Sequence, residues 1–369
     1  MRTLHVNTER TFRGGERQVL ALVRGLVERG HGAELVAQPD GELARRAAEA
    51  GIEVHRVKVR HEFDPLAVAR LCGLFRGGEY DIVHMHTGRA HTLGAGAAML
   101  AGAGARIVSR RVVSPAGRNW LGRLKYRHGV DRYIAISEAV KRTLVEAGVA
   151  PERVVVVRSC VEPGRFERAA DRSADYRREF DIAEGAPVVG SVGALAPPKG
   201  FRHLLDAVPL VRERVPEARF VLVGDGELRA ELEQQAARLG LGPAALTLLG
   251  WRDDVPELLR FFDVFVSSSI AEGLGTAAIQ ALASGTPAVV TDAGGLPEVI
   301  DDGETGLVAE AGGARSLADA IVRLLRDAGL RARMASLGPE RARDRFSPGQ
   351  MLDGTLAVYR EVLESRTRG

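Results

Sequence analysis

The chain has 369 residues, of which 45% are hydrophobic and 27% charged, so it is long and apolar enough for two domains with buried cores. Its 51 basic and 48 acidic residues leave a net charge of only +3, which argues against a general nucleic-acid binder. Two cysteines, Cys72 and Cys160, are too few for a disulfide framework or a zinc site.

The N-terminal residues MRTLHVNTERTF contain no apolar stretch of signal-peptide length. The uncharged segment 92–105, rich in alanine and glycine, is too short to span a bilayer. We therefore expect a cytoplasmic protein, and peripheral contact with the inner face of the membrane stays open.

Short apolar runs alternate with amphipathic stretches in the first half of the chain. The predicted strands are 4–6, 33–37, 54–59, 81–86, 106–109 and 132–136. The predicted helices are 14–29, 42–50, 93–101 and 138–147. This alternation predicts a parallel sheet covered by helices.

A second series of the same kind follows a predicted linker at 162–172. Its predicted strands are 188–192, 219–223, 246–248, 264–267 and 288–291. Its predicted helices are 201–213, 227–239, 276–284, 315–326 and a final amphipathic helix, 349–364. Two such series predict two Rossmann-like domains, whose ligands bind beyond the carboxyl ends of the strands.

Gly14 and Gly15 lie between the first predicted strand and the first helix. Glycines there let the backbone approach a ligand and leave amides at a helix N-terminus, which favours an anion. A tight structural turn explains the pair equally well. The segment 224–226 lacks the third glycine of a dinucleotide fingerprint, because Arg229 stands at that position, and a nicotinamide cofactor is poorly supported.

Lys199 lies in the loop 193–200, which runs through two prolines into a predicted helix. Besides Lys199, the chain has only Lys58, Lys125 and Lys141 as lysines. A lysine at a helix start can place a point charge on a phosphate, while the helix dipole supports the same anion. The alternative is a solvated lysine in a loop.

Glu272 stands between a predicted strand and two glycines, Gly273 and Gly275. Its carboxylate can therefore face a cleft while neighbouring amides stay accessible. Gln280 follows eight residues later on the next helix, and the loop 291–298 repeats the design one strand on. Each feature alone could be structural; their order and spacing are specific.

In this order the segments resemble the family-four retaining glycosyltransferases of GT-B fold, over nearly the whole chain. The matching segments are 14–16, 81–86, 134–138, 192–200, 223–226, 272–287, 294–298 and 302–306. The resemblance implies an α/β architecture of two Rossmann-like domains facing each other across a cleft. Residues 1–163 would form the acceptor-side domain, residues 164–346 the donor domain, and residues 347–369 a helix that returns to the first domain.

The resemblance also implies roles for matching residues. Lys199 would grip the donor diphosphate, and Glu272, the first of the family's paired glutamates, would contact hydroxyl groups of the donor sugar. The other donor-binding residues expected are Gly14, Gly15, Gly193, Arg252, Gly273, Leu274, Gly275, Thr276 and Gln280. On the acceptor side we expect His86, Arg110 and Arg111.

Two departures from the family pattern concern the donor. Gln280 replaces the second glutamate, which usually binds the ribose, and so loses a charge-assisted hydrogen bond worth roughly 1.5–3 kcal/mol. Ala194 stands where the family usually has an arginine beside the diphosphate. Arg202 or Arg252 could compensate.

A third departure concerns the acceptor side. Where many relatives carry a histidine, this chain reads Ser109-Arg110-Arg111. His86 or His91 could take that place, and His91 therefore joins Lys199 and Glu272 in the expected catalytic set. A lone histidine is more often structural.

The resemblance implies a retaining enzyme that moves a hexose-type sugar from a nucleoside diphosphate to a hydroxyl acceptor. We expect a UDP-sugar first and a GDP-sugar second, each as a substrate rather than a cofactor. Because no two aspartates are two residues apart, we expect catalysis without a metal ion or other cofactor. Glu272 would position the sugar, and the leaving phosphate would receive the acceptor proton.

The acceptor is expected to be a lipid-linked or cell-envelope glycan first and a small soluble molecule second. Basic residues in the stretch 106–132 are interleaved with Trp120, Leu121, Leu124 and Tyr126. This stretch could dock on an anionic membrane or recognise a phosphorylated acceptor, or it could be a solvated arginine face.

Two other functions stay open. A GT-B nucleotide-sugar epimerase would convert the donor without an acceptor and leave its mass unchanged. A sugar-nucleotide-binding protein with weakened catalysis is compatible with Ala194 and Gln280.

Overall fold

A seven-stranded parallel sheet forms in the first half of the chain, in a computed structural model that describes residues 1–113 and 125–367. Its strands are β1 (Arg2–Val6), β2 (Gly32–Ala37), β3 (Val54–Arg56), β4 (Ile82–Met85), β5 (Ala105–Arg110), β6 (Arg132–Ala135) and β7 (Val154–Val156). They lie in the order β3-β2-β1-β4-β5-β6-β7. The helices are α1 (Gly14–Glu28), α2 (Glu42–Glu49), α3 (Pro65–Gly77), α4 (Gly88–Ala101) and α5 (Glu138–Glu146).

The second sheet has six parallel strands in the order β10-β9-β8-β11-β12-β13. These are β8 (Val188–Val192), β9 (Arg219–Val223), β10 (Leu246–Gly250), β11 (Val264–Ser267), β12 (Ala288–Thr291) and β13 (Gly306–Ala309). The helices are α6 (Pro163–Glu167), α7 (Ser173–Glu179), α8 (Phe201–Arg212), α9 (Arg229–Arg238), α10 (Val255–Phe261), α11 (Thr276–Ala283), α12 (Ala314–Arg326) and α13 (Ala328–Phe346). Helix α6 occupies part of the segment that the sequence predicts as a linker.

The chain divides into two compact units. Unit 1 comprises Met1–Cys160 and Pro348–Gly369, and unit 2 comprises Val161–Ser347. The last helix, α14 (Pro348–Thr367), therefore packs in unit 1, where a Cβ on Gly25 of α1 would come within 2.8 Å of Leu352. The sequence predicts divisions after residues 163 and 346, and the structure divides the chain after residues 160 and 347.

Apolar faces of strands and helices form a core in each unit. In unit 1, α1 and α14 contribute Val19, Leu22, Leu26, Leu356 and Tyr359. In unit 2, α8 and α12 contribute Leu204, Leu205, Val208, Leu317 and Ile321. Among the helices of the described ranges, none is long and apolar enough to cross a membrane.

Two helices of unit 1 differ from the sequence prediction because of their N-caps. Helix α3 was not predicted; the Asp64 side chain caps it by accepting from two backbone amides, and Pro65 occupies its first turn. Helix α4 begins at Gly88 rather than at the predicted residue 93, because the Thr87 hydroxyl accepts from the amide of Ala90 at 3.1 Å.

Candidate functional site

Lys199 ends a short 3₁₀ turn that follows β8 and leads into α8. Its side chain is 32% exposed. The next residue, Gly200, has φ of +62°, and a Cβ there would collide with the carbonyl oxygen of Ser268. The loop that carries Lys199 can therefore lie directly against the loop after β11 only because residue 200 is glycine.

Glu272 lies in that second loop, and its carboxylate meets Lys199. The two side chains form an ion pair, with Lys199 Nζ 2.5 Å from Glu272 Oε2. Ser269 Oγ donates to the same carboxylate oxygen at 3.3 Å, and Ser268 Oγ donates to the carbonyl of Lys199 at 3.0 Å. Because β8 and β11 are neighbours in the sheet, the structure brings these two predicted residues together at its carboxyl edge.

The turn from Glu272 into α11 is held by glycines. Gly275 precedes α11 with φ of +97°, where an added Cβ would collide with Leu296. Gly294 has φ of +56° and packs against the carbonyl oxygen of Glu272, to which the amide of Gly295 donates at 3.0 Å. Glu272 is thus fixed by a loop from the next strand.

Four further predicted donor residues lie around this turn. Gly273 and Leu274 are both buried, with Leu274 only 1% exposed, so their role in donor binding stays a prediction. Thr276 is the first residue of α11, and Gln280 lies one turn further along the same helix, partly buried. All four residues lie in the segment that runs from Glu272 into α11.

Gly193 lies at the end of β8, and the segment 224–226 supports it. A Cβ on Gly224, whose φ is +135°, would collide with the carbonyl of Gly193. The amide of Leu195 donates to the carbonyl of Asp225 at 3.0 Å. The segment 224–226 does not match a dinucleotide-binding fingerprint. In the structure it packs against the loop that carries Lys199 and stabilises it.

Arg252 is engaged by acidic side chains. Its Nε and Nη2 donate to the two oxygens of Asp254 at 2.9 and 2.7 Å, and its Nη1 donates to Glu179 at 2.6 Å. Tyr176 Oη also donates to Asp254, at 2.8 Å. These bonds tie the loop after β10 to α7 and account for the guanidinium without a ligand; a donor-binding role for Arg252 stays a prediction.

Replacing Asp254 with asparagine is expected to destabilise the protein at pH 7 by about 1–2 kcal/mol. The hydrogen bonds from Arg252 lower the pKa of Asp254 from 3.8 to about 2. A carboxylate with a lowered folded-state pKa contributes stability above its unfolded-state pKa and loses it as the pH falls through the folded-state pKa. In thermal melts, the difference between Asp254→Asn and wild type should therefore shrink between pH 4 and pH 2.

The matched control is Asp253→Asn, because Asp253 is exposed and adjacent. It should leave the melting temperature nearly unchanged at every pH. An Asp254→Asn deficit that stays constant down to pH 2 would contradict the ion-pair explanation.

In unit 1, Gly14 and Gly15 begin α1. Glu16 folds back so that its carboxylate accepts from the amide of Arg13 at 3.0 Å and from Asn7 Nδ2 at 3.3 Å. The loop after β1 is thereby fixed, with the first turn of α1 at the carboxyl edge of the sheet.

Arg110 and Arg111 have different partners. Arg110 Nη1 donates to Tyr126 Oη at 2.7 Å, whereas Arg111 Nη1 approaches Ser159 Oγ at 3.4 Å. Consecutive residues of an extended chain point to opposite faces, which explains the difference. Burial lowers the pKa of Arg111 to about 10, so the guanidinium is still charged at neutral pH.

Three histidines, His5, His84 and His86, form a buried row on β1 and β4, of which only His86 was predicted from the sequence. His5 Nδ1 and His86 Nε2 are 3.0 Å apart. His84 contacts Tyr359 Oη at 2.6 Å and Ser109 Oγ at 2.8 Å. Burial lowers the pKa of all three rings, so they are neutral at neutral pH.

Ligand nitrogens of these three histidines lie within 4.8 Å of one another, close enough to hold a metal ion. A metal would have to displace one of the two hydrogen-bond partners of His84. A second such grouping in the described part of the chain consists of Glu34, Glu53 and His55, where Glu34 already accepts from Arg2 and Tyr80.

His91 lies on α4 and is 2% exposed. Its ring packs edge-on against Tyr126 and Tyr133, with centroid distances of 5.2 and 5.8 Å. Burial lowers its pKa to about 3. The catalytic role expected for His91 would require this aromatic pocket to open, and it stays a prediction.

The basic stretch 106–132 is described only in part. Its residues Trp120, Leu121 and Leu124 lie outside the described residues. Of its members that the structure describes, Arg106 pairs with Asp131 at 3.2 Å and Arg132 with Glu361 at 2.7 Å. These two arginines therefore belong to ion pairs of unit 1.

Residues 186–327 match a family model described as Glycosyl transferases group 1, and residues 12–165 match one described as Glycosyltransferase Family 4. The chain is 31% identical over 358 residues to the lipopolysaccharide core biosynthesis glycosyltransferase LpsE of Rhizobium meliloti, and this alignment covers 96% of each of the two chains. It is 28% identical over 283 residues to the UDP-Gal:alpha-D-GlcNAc-diphosphoundecaprenol alpha-1,3-galactosyltransferase of Escherichia coli, with 72% of this chain and 71% of that one covered.

Among solved structures, the chain is similar to Anabaena Alr3699/HepE in complex with UDP. The TM-score is 0.85 at 24% identity, with 98% of this chain and 100% of that chain covered. At this identity the likeness shows the fold alone, which for each unit is a parallel sheet covered by helices.

Proposed function

The chain belongs to the group 1, family-four glycosyltransferases of GT-B fold, and from that premise we propose that it transfers a hexose-type sugar from a UDP-sugar to a hydroxyl group of a cell-envelope or lipid-linked glycan. Family and fold class were both predicted from the sequence and are confirmed. The names of two relatives support the acceptor class, since one acts in lipopolysaccharide core biosynthesis and the other on a diphosphoundecaprenol-linked sugar.

The donor assignment is supported by two relatives. A UDP-sugar is named for the galactosyltransferase, and the similar HepE structure contains UDP. UDP therefore stays ahead of GDP in the proposal. Cytoplasmic location and peripheral membrane contact remain part of the proposal as well.

The ion pair between Lys199 and Glu272 is the observation that carries the proposal. In our mechanism the donor diphosphate replaces Glu272 as the partner of Lys199, and the freed carboxylate accepts hydrogen bonds from the sugar. Each charge then exchanges one partner for another, so neither is left buried and alone. The pair thus holds both side chains ready at the edge where ligands bind.

During transfer, positive charge develops at the anomeric carbon and negative charge on the departing diphosphate. Lys199 and the N-terminus of α11 stabilise the diphosphate as it leaves. We propose that these fixed positive groups replace the metal ion that other transferases use. The bond from the anomeric carbon to the phosphate breaks, a bond to the acceptor oxygen forms, and the leaving phosphate takes the acceptor proton.

In this proposal the configuration at the anomeric carbon is retained. Glu272 positions the sugar and does not attack it. Gln280, one turn into α11, contacts the ribose through its amide.

Product analysis by chromatography, which separates epimeric UDP-sugars, and by mass spectrometry tests the proposal. Purified protein is incubated with UDP-glucose or UDP-galactose, with and without a membrane lipid extract. Transfer predicts release of UDP and a lipid-extract component heavier by one hexose. An epimerised donor of unchanged mass would favour the epimerase alternative, which the two transferase relatives do not support, and no product with any donor would favour a binding protein.

Gln280→Glu is expected to bind UDP about 10-fold more tightly than wild type, because a carboxylate accepts a stronger hydrogen bond from a ribose hydroxyl than an amide does. Calorimetric titration of UDP measures the change. Gln234→Glu, on an exposed position of α9, adds the same charge and should bind UDP as wild type does. Unchanged or weaker binding by Gln280→Glu would remove Gln280 from the ribose site.

A further inference from the structure

Arg111 directly follows β5 and is charged, half-buried and poorly paired. Its Nη1 makes only a long contact of 3.4 Å with Ser159 Oγ. Its Nε is buried and has no hydrogen-bond partner within residues 1–113 and 125–367. No carboxylate in those ranges lies within ion-pair distance of it.

The groups around Arg111 share one face of the sheet. Side chains two residues apart on an extended chain point to the same face, which places Ser109 with Arg111 and His84 with His86. The two pairs share one face because Ser109 Oγ contacts His84 Nε2 at 2.8 Å. The first turn of α1 covers the same place, since a Cβ on Gly15 would lie 3.8 Å from Arg111 Cδ. His86 is 4% exposed, and its Nδ1 also lacks a partner in the described ranges.

The charges at this place do not balance. A partly buried guanidinium without a carboxylate partner is costly, and the N-terminus of α1 adds further positive partial charge. The neighbouring histidines are neutral, so they add no negative charge. Glu16 favours the charged guanidinium, but its oxygens already accept from Arg13 and Asn7.

An anion resolves this imbalance. The planar guanidinium matches a carboxylate or a phosphate in a two-point contact. Amides at the start of α1 favour the same charge. His86 Nδ1 can donate to such a group when the ring carries its proton there.

We propose that unit 1 binds an anionic group of the acceptor, a phosphate or a carboxylate, through Arg111 and the first turn of α1. The assignment to the acceptor rests on the proposed function, in which Lys199 of unit 2 already supplies a cation for the donor diphosphate. The proposed acceptors are thereby restricted to glycans or lipid-linked glycans that carry a negative charge.

Inorganic phosphate is the probe for this site. All variants carry Lys199→Met, so that the proposed diphosphate site of unit 2 does not contribute. In thermal melts at constant ionic strength, phosphate at ten times its Kd should raise the melting temperature by about 3 °C. Adding Arg111→Met should abolish that rise, and Arg111→Lys, which keeps the charge but loses the planar fork, should keep about half of it.

Arg106→Met is the matched control, because Arg106 lies on the same strand and is ion-paired with Asp131. It should keep the full phosphate-dependent rise. Without phosphate, Arg111→Met should melt no lower than its parent, since it removes an unpaired buried charge; a merely structural Arg111 predicts a lower melting temperature. A rise that survives Arg111→Met would overturn the site.

Titration of UDP into protein with Lys199 intact tests whether the anion bound by Arg111 belongs to the donor or to the acceptor. Arg111→Met should bind UDP within about 2-fold of wild type, since the proposed contact with the diphosphate is Lys199 and Arg111 is assigned to the acceptor. A loss of UDP affinity in Arg111→Met as large as in Lys199→Met would assign the anion to the donor and overturn the acceptor assignment. If wild type binds phosphate through Arg111 but does not bind UDP, the proposed function fails while the anion site stands.

Discussion

Replacing Lys199 with methionine is expected to lower kcat/KM for the UDP-sugar by about 10²–10³-fold, the usual loss when one preorganised electrostatic group is removed from a transition state. Methionine keeps most of the side-chain length and removes only the charge. Negative charge on the departing diphosphate grows along the reaction, so the loss should appear in kcat as well as in donor binding. Steady-state release of UDP measures both.

Lys58→Met is the control for this variant. Lys58 is exposed and lies in unit 1, so the substitution removes the same charge from the chain as a whole. It should leave kcat/KM unchanged within about 2-fold. Equal activity of the two variants would remove Lys199 from the mechanism.

Glu272→Gln is expected to lower kcat/KM by about 10–100-fold, because hydrogen bonds between a carboxylate and the sugar hydroxyls are worth roughly 1.5–3 kcal/mol and an amide replaces them only in part. The substitution also frees Lys199 from its partner. UDP, which lacks the sugar, should therefore bind Glu272→Gln at least as tightly as it binds wild type. This opposite effect on UDP and on the UDP-sugar separates the role of Glu272 from that of Lys199.

The double variant makes the prediction sharper. Since the two side chains are in contact, the effects of Lys199→Met and Glu272→Gln on the free energy of unfolding should not add. Melting temperatures of the two single variants and the double variant give the coupling. Additive effects on stability, or weaker UDP binding by Glu272→Gln, would contradict the exchange of partners that we propose for donor binding.

Much of the second sheet could be predicted from the sequence. The predicted strands 188–192, 219–223, 264–267 and 288–291 coincide with β8, β9, β11 and β12. Each is a short apolar run of a buried parallel strand, flanked by glycine or polar residues, and such runs are recognisable without tertiary information. For the same reason Lys199 and Glu272 could be placed correctly in loops after strands.

The contact between Lys199 and Glu272 could not be predicted in the same way. It depends on β8 and β11 being neighbours although two strands separate them along the chain, and periodicity carries no information on strand order. The sequence suggests that the two residues bind different groups of the donor, the diphosphate and the sugar, whereas the structure shows them bound to each other. In the mechanism that we propose, donor binding is therefore an exchange of partners.

From the sequence, Arg110 and Arg111 were both predicted to lie on the acceptor side, with no difference between them. Their difference depends on which face of the sheet each reaches and on what lies there, Tyr126 for one and Ser159 for the other. Likewise, only strand register shows that His5 lies beside His84. Side-chain partners that come from distant parts of the chain were the information that local sequence patterns lacked.

Calorimetric titration of UDP into wild type, Lys199→Met and Lys58→Met tests the central claim most directly. We expect micromolar binding to wild type and Lys58→Met, and binding about 10-fold or more weaker to Lys199→Met, because a charge-assisted contact is lost. Equal UDP affinity of Lys199→Met and wild type would contradict it, because the ion-paired lysine at the carboxyl edge of β8 would then not be the group that holds the donor diphosphate.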